Sequence, residues 1–411
     1  MSVIPFDALT ITFEVSWSTA WNAAASYVDE SAFLMGFDLR RGRSSQFDQF
    51  TAGTLSVKLN NTTRRFDPLY SAGALFGNLK PRKLCRLSAT YNAVTYRLFT
   101  GYLDGIGQEG EMSNTLGTAR LTASDGFKIL ARAKLPTGGA PVGGGETLSA
   151  RIGRLLDYVA WPAGLRDIDP VSPTSVETQE VGQPILAQIY EVTNGDLGQV
   201  FVAGDGDFTY HGHAWQLSNN LTASATLADL ITGSEIPYTT CVFAPADDVL
   251  LFNRATATNY TGPPYVLHTS DVEDATSVAA YGESVKDLGL IGVNNMNVVQ
   301  NTLEYILAYY KDPKLRVTQV SFNPRRTPAT MYPVVLGAEI GTRYLFTRRP
   351  QNVGSAISQD VLVEGITHSM TSDSFTATFD LSQASTAPDG GTYWRMNFGK
   401  ATTGTPAATW A

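Results

Sequence analysis

Apolar and polar residues alternate along the first third of this chain in short, evenly spaced runs. Leu55, Val57 and Leu59 form one such run, and segments 96–103 and 119–125 form two more. Successive side chains of a β-strand point to opposite faces of a sheet, so this two-residue period predicts half-buried strands. Turns rich in Gly, Asn and Asp separate the runs, which predicts antiparallel strands in a sandwich or a small barrel.

The length of the chain predicts more than one core. A chain of 411 residues is too long for one compact hydrophobic core, so two to four domains are expected. Its 37 glycines, 18 tyrosines and 19 phenylalanines are typical of a turn-rich β protein. The predicted fold class is therefore mainly β, with β-barrel or β-sandwich modules and one small α+β module.

The α+β module is predicted over residues 134–222. Before it, residues 1–133 are predicted to form an N-terminal β-barrel, and a Gly- and Pro-rich linker follows at 136–145. Beyond the linker the apolar residues adopt helical spacing, with Thr147 as the expected N-cap of one helix and Pro184 as the start of another. An Asp-Gly pair between two alternating runs near residue 205 predicts a hairpin.

Strand-like runs return in the last part of the chain. Residues 223–385 are predicted to form a C-terminal β-barrel region with one inserted helix, whose apolar stripe is centred on Leu303. The short apolar run 334–336 and the run 249–252 are interpreted as strands. From residue 386 to 411 the composition is Gly, Thr, Ala and Pro, which predicts a flexible or partner-ordered tail.

Two hairpin patterns within the chain resemble each other. Segments 98–106 and 119–125 resemble segments 361–367 and 376–382: each pair joins a glycine-containing apolar strand to a Thr-rich alternating strand. Hairpins resemble one another by default, so the similarity has two explanations, a duplicated barrel or an ordinary recurrence.

No catalytic, metal-binding or cofactor-binding residue is predicted. His211 and His213 would share one face of a strand, but no Cys/His cluster accompanies them, so two surface histidines are the favoured interpretation. Nucleophile-elbow, zinc-protease and phosphate-loop motifs are absent from the sequence. Cys85 and Cys241 form no disulfide framework, and Cys85 is expected to be a buried thiol. The chain is therefore predicted not to be an enzyme.

Charge and hydropathy exclude two further classes of protein. The net charge is −8, and specific nucleic-acid binding normally needs a basic excess. No apolar run has the length that spans a bilayer, so no transmembrane segment is predicted. The N-terminus lacks the pattern of a signal peptide, and synthesis in a cytoplasm is expected.

Five arginines flank the alternating run at 55–59. They are the candidate site residues of the sequence: Arg40, Arg41, Arg43, Arg64 and Arg65. One interpretation is solvated hairpin ends that protect sheet edges. A second is a subunit interface that pairs with acidic surface on a neighbouring chain. Phosphate binding is the third, because the positive charge is so local.

The order of several motifs resembles a known family. Arg41-Gly42-Arg43, the segment 50–61, and Arg65-Phe66-Asp67-Pro68 resemble the start of phage minor tail proteins. The resemblance continues through the segments 125–130 and 363–368 and covers the chain to about residue 385. It is strongest to the tail-tip, or baseplate, hub proteins of siphophages.

The resemblance implies a structural protein of the virion. Such hubs carry two barrels per chain, and a homotrimer presents six similar barrels to the hexameric tail tube, with arginines at the ring contacts. The implied partners are the distal tail protein or tail tube, other minor tail proteins and the tape measure protein. The implied location is the tail tip, after synthesis in the host cytoplasm. A hexameric distal tail protein and a carbohydrate-binding β-sandwich adhesin remain the alternatives.

Overall fold

The computed structural model describes residues 9–20, 24–110, 117–138, 143–170, 176, 182–220, 222–244, 249–261, 266–350 and 354–384. These residues form a mainly β structure, which confirms the fold class that the alternating pattern predicts. Fourteen strands belong to one continuous sheet, and two smaller sheets have three strands each. None of the helices in the described ranges is long and apolar enough to cross a bilayer.

The first seven strands are consecutive antiparallel neighbours. Their bounds are β1 (Leu9–Val15), β2 (Val28–Asp29), β3 (Leu34–Gly42), β4 (Thr51–Asn60), β5 (Leu84–Tyr91), β6 (Val94–Gly110) and β7 (Gly117–Ser124). Their spatial order is β3-β4-β7-β6-β5-β1-β2. Leu55, Val57 and Leu59 of β4 are all buried, which confirms the prediction from their spacing.

The middle of the chain combines helices with a small sheet. Its elements are α1 (Phe127–Arg132), α2 (Leu148–Tyr158), β8 (Arg166–Ile168), α3 (Ile185–Asn194), β9 (Gln199–Val202), β10 (Phe208–His211) and α4 (His213–Asn219). The Thr147 hydroxyl accepts a hydrogen bond from the Ala150 N–H at 3.2 Å, and α3 begins directly after Pro184. Gly206 adopts a positive φ of 101° in the predicted β9–β10 turn. The two helix starts and the hairpin are thus confirmed.

The last part of the chain returns to strands. Its elements are β11 (Thr226–Ala228), β12 (Ile236–Pro237), β13 (Thr240–Ala244), β14 (Arg254–Thr261), β15 (Val266–Glu273), α5 (Ala275–Tyr281), β16 (Val285–Ile291), α6 (Met296–Tyr310), β17 (Arg316–Phe322), α7 (Pro328–Gly337), β18 (Arg343–Arg348), β19 (Ile357–Thr371) and β20 (Phe375–Gln383). Helix α6 is the predicted one, and the Asn295 side chain caps it by accepting from the Asn297 N–H at 3.0 Å.

Three details of this part differ from the prediction. Two additional helices, α5 and α7, accompany α6, so the prediction of a single inserted helix is wrong. The run 334–336 lies inside α7 rather than in a strand, and 249–252 lies outside the strands. Short apolar runs do not distinguish a buried helix from a strand, and α7 buries Met331, Tyr332 and Val335.

A compact insertion separates β13 from β17. It contains β14, β15, β16 and the helices α5 and α6, and it has a hydrophobic core of its own. The apolar side of α6 packs on Ala255 and Ala257 of β14. The sequence interpretation treats this stretch as part of the C-terminal barrel region and does not recognise it as a unit.

One larger hydrophobic core connects the remaining parts. It contains buried residues of β1 and β3–β7, of the middle helices and strands, and of β17–β20. The predicted boundaries at 133/134 and 222/223 therefore fall between segments that share a core, and they stay predictions. Residues 139–142 of the predicted linker and the predicted tail from 386 lie outside the described residues.

Candidate assembly interface

The large sheet contains two copies of one strand arrangement. The first repeat consists of β1, β3, β4, β5, β6 and β7, and the second repeat of β11, β13, β17, β18, β19 and β20. Numbered along the chain, the strands of both repeats lie in the spatial order second, third, sixth, fifth, fourth, first. The ladders match in direction except that β1 is antiparallel to β5 whereas β11 is parallel to β18.

The ladder registers align the two repeats residue by residue. One row across the first repeat joins Asp38, Ser56, Thr122 and Gly105. The corresponding row across the second repeat joins Val242, Gln319, Asp380 and Gly365. Gly105 is therefore the counterpart of Gly365, and Asp38 of β3 is the counterpart of Val242 of β13.

A shared β-bulge supports this alignment. The β6–β7 register shifts between Leu103 and Gly105, and the β19–β20 register shifts between Val363 and Gly365. Each bulge carries an acidic residue that accepts a serine hydroxyl: Ser124 donates to Asp104 at 2.5 Å and Ser382 to Glu364 at 2.6 Å. The two similar hairpins noted in the sequence are thus corresponding parts of the two repeats.

Backbone bonds beside the bulges match as well. The Arg82 N–H donates to the Leu103 carbonyl at 2.7 Å, and the Gly341 N–H donates to the Val363 carbonyl at 2.7 Å. Arg82 and Gly341 both have a positive φ, of 63° and 85°. L-residues other than glycine rarely adopt a positive φ, so the shared conformation of Arg82 and Gly341 supports the alignment of the two repeats.

The two repeats join through an antiparallel ladder between β3 and β19, called the seam below. Gly42 lies opposite Gly365, and the ladder continues to the pair of Gly36 with Thr371. A Cβ atom at Gly42, where φ is 91°, would lie 2.2 Å from the Glu364 carbonyl oxygen. The two backbones meet so closely at this end of the seam that only glycine fits.

Three of the five predicted arginines lie at the seam. Their partners are carboxylates of the second repeat and of the loop before β18: Arg41 pairs with Glu339 at 2.6 Å, Arg43 with Glu364 at 2.7 Å and Arg40 with Asp380 at 3.3 Å. Arg41 is buried and the Arg43 side chain is 9% exposed, and the Arg43 guanidinium also stacks on the Phe50 ring at 4.2 Å. The seam is therefore basic on the β3 side and acidic on the β19 side.

The other two arginines have separate partners. Arg64 is exposed and pairs with Asp67 at 2.7 Å. Arg65 donates twice to the fully buried Glu30, at 2.7 Å each, and Trp17 donates its indole N–H to the same carboxylate at 2.8 Å. A contact of any of the five arginines with another subunit stays a prediction.

The sequence interpretation did not identify the acidic partners. Glu364 follows Arg43 by 321 positions and Glu339 follows Arg41 by 298. The sequence around an isolated acidic residue in a strand-like run does not show that the residue pairs with a distant arginine. The recurrence of an apolar strand with an acidic residue before a glycine, at Asp104 and Glu364, was the available clue.

The counterparts of the two seam strands are residues 105–110 of β6 in the first repeat and β13 of the second, and within the described residues neither has a strand along its other edge. Residues 105–110 of β6 pair with β7 on one side, while the β5 ladder ends at Tyr102. A Cβ at Gly105 would meet no described atom nearer than Thr122 Oγ1 at 3.8 Å, although the same atom at Gly365 would lie 2.5 Å from the Arg43 carbonyl oxygen. Within the described ranges β13 pairs with β17 alone, and Val242 is 50% exposed. Both partners of a second seam are thus uncovered.

The histidines do not lie where the sequence predicts. His211 ends β10, where it stacks on Trp215 at 3.7 Å, whereas His213 begins α4. His213 is buried, so it is not a surface residue, and burial lowers its pKa to about 4. The predicted shared strand face is wrong because the chain turns into a helix at Gly212. The described residues assemble no group of three His, Cys, Asp or Glu side chains that could hold a metal ion.

The fold has close counterparts among solved structures. A tail protein from Neisseria meningitidis MC58 superposes with a TM-score of 0.59 at 13% identity, over 90% of this chain and 96% of that chain. The 43 kDa tail protein of prophage MuSo2 from Shewanella oneidensis superposes with a TM-score of 0.56 at 11% identity, over 91% and 98%. No protein-family model and no curated protein sequence matches the chain. The chain therefore has the fold of these two tail proteins over nine-tenths of its length.

Proposed function

We propose that this chain is a structural minor tail protein of a long-tailed bacteriophage and forms the tail-tip hub. The likeness to two tail proteins over nearly the whole of each chain supports a tail role. The proposed hub closes or extends the tail tube, and it anchors other tip proteins for host attachment and DNA delivery. Its partners are the distal tail protein or tube, other minor tail proteins and the tape measure protein.

The observation that carries the hub proposal is the unfilled second seam. Within one chain, β3 of the first repeat pairs with β19 of the second repeat. The counterparts of these strands are β13 and residues 105–110 of β6, and among the residues that the structure describes each pairs along one edge alone. An exposed strand edge is a template for pairing with another chain. Pairing β13 of one copy with β6 of the next reproduces the seam between subunits.

Repetition of this contact generates a closed ring. Each chain contributes two repeats, so three chains place six similar repeats around one axis and match a sixfold tube. A ring of six chains, as in a distal tail protein, would place twelve repeats there. We therefore propose a homotrimer in which internal and intersubunit seams alternate, and a structural role without catalysis.

Gly105→Ala tests the proposal. A Cβ at this position is accommodated in the free chain, but in the proposed ring it would meet the neighbouring backbone as it would at Gly365. We expect the wild-type chain to sediment as three copies, and Gly105→Ala to stay monomeric with an unchanged melting temperature. Electron cryomicroscopy of the assembled layer then counts the chains around the axis.

Gly107→Ala is the matched control. Gly107 lies opposite Arg120, and its counterpart in the second repeat is Thr367, opposite Thr378. A side chain is already tolerated at that position of the seam, so Gly107→Ala should assemble as the wild type does. Six chains in the ring, or normal assembly of Gly105→Ala, would overturn the trimeric hub.

A further inference from the structure

A cavity of about 500 Å³ lies between the three-stranded sheet β8-β10-β9 and the loop before β18. Its floor is one face of that sheet, with Thr209 of β10 at the centre. Asp167 of β8 and Phe201 of β9 lie opposite Thr209 on either side, whereas Asp207 and His211 precede and follow it by two residues. All five residues line the cavity. Residues two apart on a strand share a face, so these side chains surround one point above Thr209.

The side chain of Gln199 is buried in this floor without a hydrogen-bond partner. Gln199 lies opposite His211 in the β9–β10 ladder and is 2% exposed, and no described residue hydrogen bonds its side-chain amide. An added Cβ at Gly341 of the opposite wall would stand 2.7 Å from the Gln199 Oε1 atom, and both residues line the cavity. Buried polar side chains are normally hydrogen bonded, so an amide that the chain leaves unpaired in a cavity indicates a polar ligand.

Asp167 and Asp207, called the floor carboxylates below, give the cavity a negative charge. Burial and the nearby carboxylates of Asp205 and Asp167 raise the pKa of Asp207, so these groups repel one another. Burial lowers the pKa of His211, although its Nε2 atom lies 3.0 Å from the Asp167 carboxylate. The imidazole is therefore neutral at neutral pH, and the described residues of the lining include no lysine or arginine.

The other two carboxylates of the lining have cations nearby. Glu339 pairs with Arg41 at 2.6 Å, and the charge of Arg97 interacts with that of Asp205. Within the described part of the chain the floor carboxylates have no such cation. Like charges that gather without a counter-charge oppose folding, so their presence favours a binding role over a stabilising one.

A stacked pair of rings adjoins the floor carboxylates. Trp215 of α4 stacks on His211 with ring centroids 3.7 Å apart and planes 9° from parallel, and both rings line the cavity. Aromatic faces attract cations, and a planar guanidinium stacks on them while its N–H groups reach carboxylates in a fork. A saccharide would also use rings and amides, but it is neutral and would leave the floor carboxylates without a counter-charge.

We infer that this cavity binds the guanidinium group of an arginine side chain presented by a partner protein. The guanidinium lies above Thr209 and donates to the floor carboxylates and to Gln199 Oε1. A guanidinium has five N–H donors and no acceptor, so it matches a floor of acceptor oxygens. The Asp167 side chain is 59% exposed, which leaves the site open to an entering side chain. This site goes beyond the hub role and does not depend on the proposed ring.

Two capped amino acids of the same shape test the site. The probes are N-acetylarginine amide and N-acetylcitrulline amide, in which a neutral urea replaces the guanidinium. We expect the arginine probe to bind at least about tenfold more tightly than the citrulline probe, and to bind more weakly as salt is added. Ligand-observed nuclear magnetic resonance titrations of the full chain measure both dissociation constants.

Substitutions in the floor locate the binding. Asp167→Asn with Asp207→Asn removes two charges, keeps one acceptor oxygen on each side chain and should weaken the arginine probe about tenfold. Gln199→Leu should weaken it about threefold and leave the melting temperature unchanged, because the amide has no partner within the described chain. Glu273→Gln with Asp312→Asn is the control, since it removes two exposed carboxylates away from the cavity and should change the dissociation constant less than about twofold.

Four results would overturn the site. They are no saturable binding of the arginine probe, equal binding of the citrulline probe, unchanged binding by the Asp167→Asn, Asp207→Asn chain, and binding of glucose in place of the arginine probe. Tighter binding of free arginine than of the capped residue would show a small-molecule site and overturn the protein partner. None of these results bears on the ring, which sedimentation measures separately.

Discussion

Gly365 lies against Arg43 so closely that a Cβ atom on the glycine would stand 2.5 Å from the arginine carbonyl oxygen. Real Cβ atoms do not approach backbone oxygens to that distance, so the seam depends on an unsubstituted position. The counterpart Gly105 has open space instead. Gly365 thus marks the seam that is closed within the chain, and Gly105 marks the corresponding edge that is available to another copy.

Gly365→Ala should destabilise the fold while Gly105→Ala does not. The added methyl group at Gly365 forces β3 and β19 apart, and overpacking of this kind costs about 1–3 kcal/mol. At Gly105 the change in unfolding free energy should stay within about 0.5 kcal/mol. Urea unfolding of the two variants at a protein concentration that keeps them monomeric checks both values. Equal losses of unfolding free energy in the two variants would contradict the close backbone contact at Gly365 and the open space at Gly105.

Arg43→Ala should cost more stability than removal of an exposed arginine. The Glu364 carboxylate is 1% exposed and accepts from Arg43 and from Ser382, so loss of the guanidinium leaves a buried charge with one neutral donor. Breaking a buried pair in this way lowers the unfolding free energy by about 3–5 kcal/mol. Chemical denaturation measures the loss.

Arg64→Ala is the comparison for that prediction. Arg64 is 57% exposed and its ion pair with Asp67 is screened by solvent, so its loss should be clearly smaller. A loss at Arg64 as large as that at Arg43 would contradict the assignment of Arg43 as the structural partner of the buried Glu364.

Arg65→Glu should unfold the first repeat rather than act on assembly alone. Reversal removes the two guanidinium hydrogen bonds from the fully buried Glu30, leaves the Trp17 indole N–H as its donor and places a second carboxylate beside it. The unfolding free energy should fall by at least about 3 kcal/mol. Arg65→Lys keeps the charge with one donor group and should lose less. Reduced assembly of Arg65→Glu with an unchanged melting temperature would instead support a direct subunit contact.

His368 should make the fold sensitive to acid. Burial and the neighbouring Arg41 guanidinium lower its pKa to about 3, below the ordinary value of 6.5. Between these values the unfolded chain binds a proton that the folded chain does not bind. The His368 contribution to stability is therefore complete above about pH 6.5 and is lost as the pH falls toward about 3.

His368→Leu should flatten this pH dependence. The difference in unfolding free energy between the variant and the wild type should shift in favour of the variant as the pH drops from about 6.5 to about 4. The offset between the two chains at pH 8, where the wild-type imidazole is neutral in both the folded and the unfolded state, is the reference. An offset that stays constant over this window would show that His368 takes up its proton without loss of the fold.

Local patterns in the sequence predicted much of the secondary structure. The alternation at Leu55, Val57 and Leu59 places those side chains in the core because a strand has a period of two. Thr147 caps its helix because a short polar side chain satisfies an unpaired backbone N–H. These features depend on residues a few positions apart, so one stretch of chain contains all the information.

The candidate site depends on contacts that no local pattern encodes. The five arginines were identified from the sequence, but Arg43 and Glu364 are brought together by the pairing of β3 with β19, 321 positions along the chain. In the same way, the apolar run 334–336 is compatible with either a strand or a helix until the surrounding core selects the helix.

The sequence by itself determined that the chain is mainly β, where its clearest strands and capped helices begin, and that two hairpins are similar. Only the tertiary structure decided that six strands recur in one order, that one seam is closed within the chain and that its counterpart is open. The physical reason is that side-chain burial follows from periodicity along one strand. Which strand edges meet depends instead on backbone hydrogen bonds and close approaches, such as that of Gly365 to Arg43, between segments distant in the chain.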